Sequence, residues 1–529
     1  MSTESNSGTS AVRLDASRLP EPPAKIVETQ KGEILALWCF WGIVVYTFIR
    51  NILAAAAKPL WYDELYTVTI ARQPSWKASW HALGAIKDGN PPGFYFLERL
   101  FGFLPLNEQI AYHLVSIAGF CFILVCIFLF IRKSQGSVRA LICTSIFLLT
   151  PLLRPYAVEA RAYCLVAASL AFALICYQRA PRTMWMLAMG AVFAAAESMH
   201  YLAFFGFAPF AVAEFSESFR AHKIRWSVWL ALSAGFLPIM AFWRLSSEIR
   251  RYYGSHIWSP ASLLATANMY SLLFKASAPV ALAVVFALVI VASQRLLSLR
   301  NEKVQPDFST DVSEAWIAIT FLCVPIIAFV FSKLLHGVYT ERYVLATVLG
   351  IPLSVAFVLR LIPRKGVMLA GVLVLAAVGL QEGFFWRTAI RDVRAFVPPN
   401  RPVERMLNRV GYLDLRVVIS DGEDYFQIAH YSPQPKRFIS LIDPPEAVIY
   451  AGSDIVDLQL AALRCCVPLR IYTLREFRAQ YQRFLLYSGG GAFDWWPARL
   501  VNDGASLQLL AEDQNRRVYL VNLKARSDP

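Results

Sequence analysis

Several clusters of acids, arginines and aromatic residues stand at the ends of long apolar runs, and these residue types can do chemistry. The first is Trp61-Tyr62-Asp63-Glu64. An acid at the mouth of a membrane span can act as general base toward a hydroxyl, or hold a cation. Asp63 can also N-cap a helix beginning at Glu64, and the two roles are compatible. Further on, Asp88-Gly89-Asn90-Pro91-Pro92-Gly93 is a turn whose prolines fix the backbone ahead of the aromatic stretch FYFLERLF, with Asp88 as another acid. Asp63, Glu64 and Asp88 offer oxygen ligands to Mg²⁺ or Mn²⁺, at spacings that form no specific metal motif.

A second cluster is Tyr156-Ala157-Val158-Glu159-Ala160-Arg161-Ala162-Tyr163. Glu159 and Tyr163 are four apart and share a helix face if a helix begins before Glu159. The bland reading is a Glu-Arg pair that anchors the helix; the functional one is an acid facing Asp63, with arginine nearby for an anionic group. His200, followed by Tyr201, occupies a turn between two short apolar runs, where a lone histidine is more often hydrogen-bonded structure than a ligand. Arg250, Arg251, Tyr252, Tyr253 and His256 suit a lid over a phosphate or sugar, or interfacial anchoring. Glu341-Arg342-Tyr343 precedes a late apolar run.

The runs that must position these residues dominate the composition. Of 529 residues 57% are hydrophobic and only 17% charged, against about 25% in a soluble domain. This is membrane composition, and it excludes a disordered or collagen-like chain. About eleven spans follow from the rule that roughly 20 apolar residues cross the hydrocarbon. They lie near 34–56, 109–131, 139–153, 161–178, 184–198, 201–216, 226–244, 277–294, 315–334, 343–360 and 367–386. The net charge of +14 is explained by Lys and Arg in alternate loops, such as Arg132, Lys133 and Arg139, then Arg220, Lys223 and Arg225. Those loops are cytoplasmic by the positive-inside rule, so the N-terminus is inside, the C-terminus outside, and nucleic acid is not a partner. Arg161, Arg251 and Arg342 then fall on the disfavoured outer side. A guanidinium fork matched to phosphate is a reason for them to be there.

Residues 1–32, rich in Ser, Thr, Pro and charge, read as a disordered cytoplasmic tail. Residues 33–390 form the transmembrane domain, with outer loop helices over 57–108, and 395–529 an extracytoplasmic domain. In that domain RVVIS, RFISLI, AVIYA, LRIYT, RFLLYS and RVYLVNL are strand-like and alternate with helical stretches such as SDIVDLQLAALRCC, which predicts a small α/β domain. The glycines 489–491 precede FDWW and read as a turn, not a phosphate loop. The nine cysteines show no disulfide or zinc framework.

Taken in order, W-Y-D-E, D-G-N-P-P-G-F-Y, Y-A-V-E-A-R-A-Y and E-R-Y resemble the GT-C superfamily of polyprenyl-phosphate-sugar-dependent glycosyltransferases over roughly residues 34–350. The nearest kin in pattern are the protein O-mannosyltransferases, the lipid A aminoarabinose transferase and the core galacturonosyltransferases. The chain departs from that pattern in having Asn90 where the proline turn often carries His, and His113 where many members have Arg. The resemblance implies a multi-pass enzyme of a bacterial-type inner (plasma) membrane. It would move a sugar from a polyprenyl-phosphate donor to a hydroxyl of a lipid, glycan or protein acceptor outside the cytoplasm. It implies Asp63 and Glu64 as catalytic acids, Glu159 as a second acidic position, and Arg161 with Arg342 gripping phosphate; Asp88, Tyr163, His200, Arg251, His256 and Tyr343 complete the substrate-binding set. No cofactor is certain beyond a divalent cation such as Mg²⁺ or Mn²⁺. The chemistry expected is a single displacement with inversion. The rival classes are a secondary transporter or flippase, whose charges would gather near the midplane, and a scaffold carrying the α/β domain as a binding module.

Overall fold

The computed structural model describes residues 24–253, 259–274, 312–335, 337–360 and 362–524. The expected span at 277–294 and His256 lie outside them. Five helical stretches are long and apolar enough to cross a membrane: Gln30–Ala57, Glu108–Gln135, Val312–Leu334, Glu341–Arg360 and Arg364–Val410. A sixth is a bent pair, Trp226–Ala241 with Trp243–Tyr253 at 59°. Ser137–Leu149, Tyr163–Tyr177, Thr183–Met199 and Leu263–Leu273 are apolar but shorter. The protein is thus a multi-pass helical membrane protein with a small C-terminal sheet domain.

Eight helices frame the site: α1 (Ala24–Ala57), α2 (Tyr62–Ala71), α3 (Trp76–Ile86), α4 (Gly93–Phe101), α5 (Glu108–Gln135), α6 (Ser137–Leu149), α7 (Tyr163–Tyr177) and α8 (Thr183–Met199). The first begins at Ala24, inside the stretch expected as a tail. The central helix α5 shows how local chemistry sets its ends. Asn107 accepts a hydrogen bond from the Gln109 N–H, Glu108 opens the first turn, Arg132 and Lys133 close the last, and Gly136 stops it with φ 82°. Between them it is apolar on nearly every face, so it is enclosed by its neighbours.

Two expected spans are broken. Over 201–216 a 3₁₀ segment, Tyr201–Phe207, precedes the helix Ala208–Ala221, and over 343–360 a 3₁₀ segment, Glu341–Leu349, precedes Gly350–Arg360. Irregular backbone at membrane depth is tolerated where protein or a cavity surrounds it. These two segments pack on one another beside α7. Glu159 is extended, with φ −127° and ψ 135°, and α7 starts only at Tyr163. Glu159 and Tyr163 therefore do not share a helix face; Pro155 and a 3₁₀ turn over Pro155–Val158 keep that segment off the helical path.

The C-terminal domain is a six-stranded sheet in the order β3-β2-β1-β4-β6-β5: β1 (Val417–Ile419), β2 (Phe438–Ile442), β3 (Ile471–Thr473), β4 (Arg483–Ser488), β5 (Ser506–Asp513) and β6 (Arg516–Asn522). The first four positions are parallel and the last two antiparallel. In β1 and β2 every residue is buried, as befits central strands covered on both faces. One expectation fails here, and one strand was not anticipated. AVIYA is the end of a helix, Pro444–Ala451, because Pro444 and Pro445 open a helical turn and Gly452 at φ 75° closes it. SLQLLAED is β5, an edge strand too exposed to show an apolar run, joined to β6 through Gln514 at φ 55°.

One face of the sheet shares its core with the first loop. Val417, Ile419, Leu485 and Tyr487 belong to the same apolar cluster as Leu60, Tyr62, Leu65, Tyr66, Leu83 and Ile86 of the loop. Phe426, on the helix Gly422–Tyr431, sets its ring edge-on to Tyr62 and Tyr66 at 6.1 and 5.3 Å, and Tyr431 accepts the Leu60 N–H at 2.7 Å. Phe426→Ala is expected to cost about 3 kcal/mol and to speed proteolysis after residue 395. Thermal unfolding and limited proteolysis in detergent check this; an unchanged midpoint would mean that the domain does not depend on the loop.

Candidate active site

The site grows from the first turn of α2. Trp61 is its N-cap, and the carboxylate that reaches back to the cap is Glu64, not Asp63: Glu64 Oε2 accepts the Trp61 N–H at 2.9 Å. The other oxygen, Oε1, accepts the Ala160 N–H at 2.7 Å, meets His113 Nε2 at 2.8 Å and accepts from Lys58 Nζ at 3.2 Å. Glu64 and His113 are fully buried. Burial opposes the charge of Glu64, yet His113, Lys58 and the Trp61 N–H outweigh it and hold its carboxyl down at about 2. Such an acid holds α1, α2, α5 and the second loop together and, fully enclosed, is not open to substrate.

Asp63, one residue earlier, turns the other way. Its Oδ2 lies 2.5 Å from Arg342 Nη1, with both side chains partly exposed. Arg342 also stacks its guanidinium over Trp61, 5.1 Å from the ring centre. Arg161 is buried and reaches three acceptors through Nη1, each at 3.2 Å: the Asp63 carbonyl, Thr67 Oγ1 and Asp88 Oδ2. Tyr95 donates to the same Asp88 oxygen at 2.6 Å. The turn that presents Asp88 is docked on the end of α8, where a Cβ on Gly93 would meet the Ser198 carbonyl oxygen at 2.6 Å, so glycine is required. Asp63 and Asp88 are each held by a guanidinium and Glu64 by four donors, and no three His, Cys, Asp or Glu side chains among the described residues form a metal cluster. These residues do not fit a divalent cation.

Glu159 stands 3.9 Å from Lys58 Nζ with its side chain 14% exposed. Burial, with Glu64 nearby, pushes its carboxyl up to about 7 against the pull of Lys58. Beside Arg342 lies a pocket lined by Arg342, Tyr343, His200 and Tyr163 together with Val166, Ala167, Leu170, Ala203, Gly206, Leu345 and Ala346. The His200 ring is 5.5 Å from that of Tyr163 and 5.6 Å from that of Tyr343. The site thus gathers Asp63, Asp88, Glu159, Arg161, Tyr163, His200, Arg342 and Tyr343. Arg251 is exposed on the helix Trp243–Tyr253, which touches the C-terminal domain through Tyr252, whose hydroxyl donates to the Leu458 carbonyl at 2.8 Å.

Three participants were not singled out from the sequence. Lys58 carries a signal like that of the arginines, a cation at the outer end of a span, here the first. His113 stood out only as a departure from the family pattern. Glu423, in the first turn of the Gly422–Tyr431 helix, had no local signal; it is pushed up to about 7 by burial and by Asp421, Asp63 and Asp424.

Glu64→Gln is expected to cost about 3 kcal/mol or more, since it removes the buried charge that Lys58, His113 and two backbone N–H groups converge on, whereas Asp63→Asn should change the thermal midpoint little. Because the carboxyl of Glu64 is depressed, its stabilisation is complete above about pH 4.5 and is lost as pH falls toward 2. Thermal midpoints of both variants from pH 7 to pH 3 test this; an E64Q midpoint equal to wild type would remove Glu64 from the hub.

No protein-family model matches the sequence, and no curated protein matches it. Among solved structures, ArnT from Cupriavidus metallidurans superposes in its apo state with a TM-score of 0.54 at 12% identity, and bound to undecaprenyl phosphate with 0.53 at 13%. Each alignment covers 92% of this chain and 97% of the other, so membrane and C-terminal parts are matched together. An oligosaccharyltransferase from Archaeoglobus fulgidus aligns over 83% of this chain and 67% of its own with a TM-score of 0.39, too low to bear on the fold. At such identities the likeness speaks for architecture alone: the chain has the fold of ArnT, the GT-C architecture that its loop motifs resemble.

Proposed function

We propose that the protein is an integral membrane glycosyltransferase that moves a sugar from a polyprenyl-phosphate donor to an acceptor hydroxyl of a lipid, glycan or protein. The observation that carries this reading is the pocket beside Arg342. It sets the Arg342 guanidinium, ion-paired to Asp63, beside aliphatic side chains, a combination of residue types that suits a phosphate carried on an isoprenoid. The ArnT fold, one of whose structures holds undecaprenyl phosphate, supports it. We place the reaction outside the cytoplasm of a bacterial-type inner membrane, on about eleven spans with the N-terminus inside and the C-terminal domain outside, as the distribution of Lys and Arg requires.

In this mechanism the acceptor oxygen attacks the anomeric carbon while the bond from that carbon to the phosphate oxygen breaks with inversion. The acceptor proton passes to Asp63, and polyprenyl phosphate leaves with the bonding electrons. Arg342 exchanges its contact with Asp63 for the arriving phosphate, which frees the carboxylate to act as base. Arg161 holds the Asp63 backbone and Asp88 in place and adds positive charge toward the leaving group. Glu159 orients sugar or acceptor, with Tyr163, His200 and Tyr343 lining the pocket. We assign Arg251, on the helix Trp243–Tyr253, and His256 to substrate binding. Glu64 is a positioning residue.

The decisive experiment follows release of polyprenyl phosphate by the purified protein in lipid, offered a panel of polyprenyl-phosphate sugars and an acceptor extract. Asp63→Asn is expected to lower turnover by about a hundredfold or more with folding intact; retained turnover would remove Asp63 as base. Substrate movement without sugar transfer would identify a transporter instead.

The pH profile is a second test. Burial keeps Glu159 neutral below about pH 7 and charged above it, so turnover should rise between pH 6 and 8. Glu423 titrates in the same window, so E159Q and E423Q are compared. Loss of the rise in E159Q alone assigns it to Glu159, and its persistence there would withdraw that role.

A further inference from the structure

Away from Asp63, a second set of polar side chains is buried between α1, the helix Arg364–Ala395 and the segment after α6. Arg50 Nε lies 3.2 Å from Glu382 Oε2, and Arg154 Nη2 lies 2.5 Å from Glu382 Oε1, with no side chain of the three more than 10% exposed. Tyr46 donates its hydroxyl proton to the Glu382 carbonyl at 2.7 Å, and Arg154 Nη2 donates also to the Leu148 carbonyl at 2.6 Å. One carboxylate faces two guanidiniums, so the cluster keeps one net positive charge.

Its hydrogen-bonding capacity is also unspent. Arg50 Nη2, Asn51 Nδ2, Arg154 Nη1 and Thr47 Oγ1 are all buried without a hydrogen-bond partner among the described residues. Thr47, Arg50 and Asn51 are 0, 5 and 1% exposed, and their spacing puts them on one face of α1. A buried donor left without a partner is costly. Arg50 Nε and Glu382 Oε2, 3.2 Å apart, lack a hydrogen bond as well, so free donors outnumber the free acceptor, and a group carrying acceptor oxygens would engage them. The surplus charge requires that group to be an anion, and phosphate matches a guanidinium fork.

The surroundings indicate where the anion comes from. Phe385 lies under the Arg154 guanidinium at 4.1 Å, and Trp386 packs 5.5 Å from Tyr46. Beside them Leu380 and Phe384 are 80 and 66% exposed on a membrane helix. Aromatic residues next to lipid-facing aliphatic ones mark the headgroup level of a bilayer. We infer that Thr47, Arg50, Asn51 and Arg154 form a second anion site that holds the phosphate of an anionic lipid headgroup, separate from Arg161 and Arg342. Arg154 belongs to the same short segment as Glu159 and Arg161, so the headgroup braces the loop that carries them.

The test uses the full chain in detergent with added phosphatidic acid, phosphatidylcholine or inorganic phosphate, read by lipid retention in native mass spectrometry and by thermal midpoint. Asn51→Leu and Thr47→Val remove free donors and leave the Arg50–Glu382–Arg154 pairs intact, so these variants keep the fold. Wild type is expected to retain phosphatidic acid over phosphatidylcholine, and each variant to retain it about tenfold less, with a midpoint without lipid equal to wild type or higher. Equal retention by variants and wild type, or no preference for phosphatidic acid, overturns the site. Protection by inorganic phosphate that matches the lipid overturns the lipid source and leaves a free anion as the ligand.

Discussion

A single buried carboxylate holds this molecule in register. Glu64 collects donors from the end of α1, the start of α2, the middle of α5 and the loop before α7, four segments distant in sequence. A buried charge without such partners would be costly, and with them it is an anchor. Neighbouring positions inherit its precision: Asp63 is forced toward Arg342, and Glu159 and Arg161 flank the Ala160 amide that Glu64 holds. The chemistry proposed is therefore built on backbone whose freedom Glu64 has removed.

The second constraint is the shared core between the first loop and the C-terminal sheet. A domain that closes its own core can be tethered loosely, but one whose sheet needs Leu60, Tyr62 and Tyr66 to cover it cannot. The sheet's helices thus form a roof over α2. The triglycine segment after β4 fits that picture, for a Cβ on Gly489 or Gly491 would overlap the carboxylates of Asp424 and Asp421. Glycine there serves close approach beside the first turn of the Gly422–Tyr431 helix, not phosphate binding.

What was legible in the sequence follows physical range. Spans that are continuous, such as those of α1 and α5, are visible because twenty apolar residues have no other use. Those broken by the 3₁₀ stretches at Tyr201–Phe207 and Glu341–Leu349 look continuous in composition and are not. Acids and arginines at span ends stand out because charge there is costly, which is why Asp63, Arg161 and Arg342 could be named. Their pairing could not, since Asp63 and Arg342 are separated by 279 residues. Glu64 looked like a partner in catalysis because sequence cannot tell which of two adjacent acids turns inward. Glu423 and the Glu382 cluster are products of tertiary packing, as is the failure of AVIYA to be a strand once Pro444 and Gly452 bracket it.

The pocket beside Arg342 is walled by α7 and by the two 3₁₀ segments, at the ends of apolar helices. A molecule whose tail lies in that pocket is already dissolved in the membrane before it binds, and it arrives by lateral diffusion. The quantity that saturates such a site is then the mole fraction of donor in the lipid, not its amount per volume of water. On the proposed function, diluting the bilayer with inert lipid slows turnover as surely as diluting substrate slows a soluble enzyme, whereas diluting the buffer does nothing.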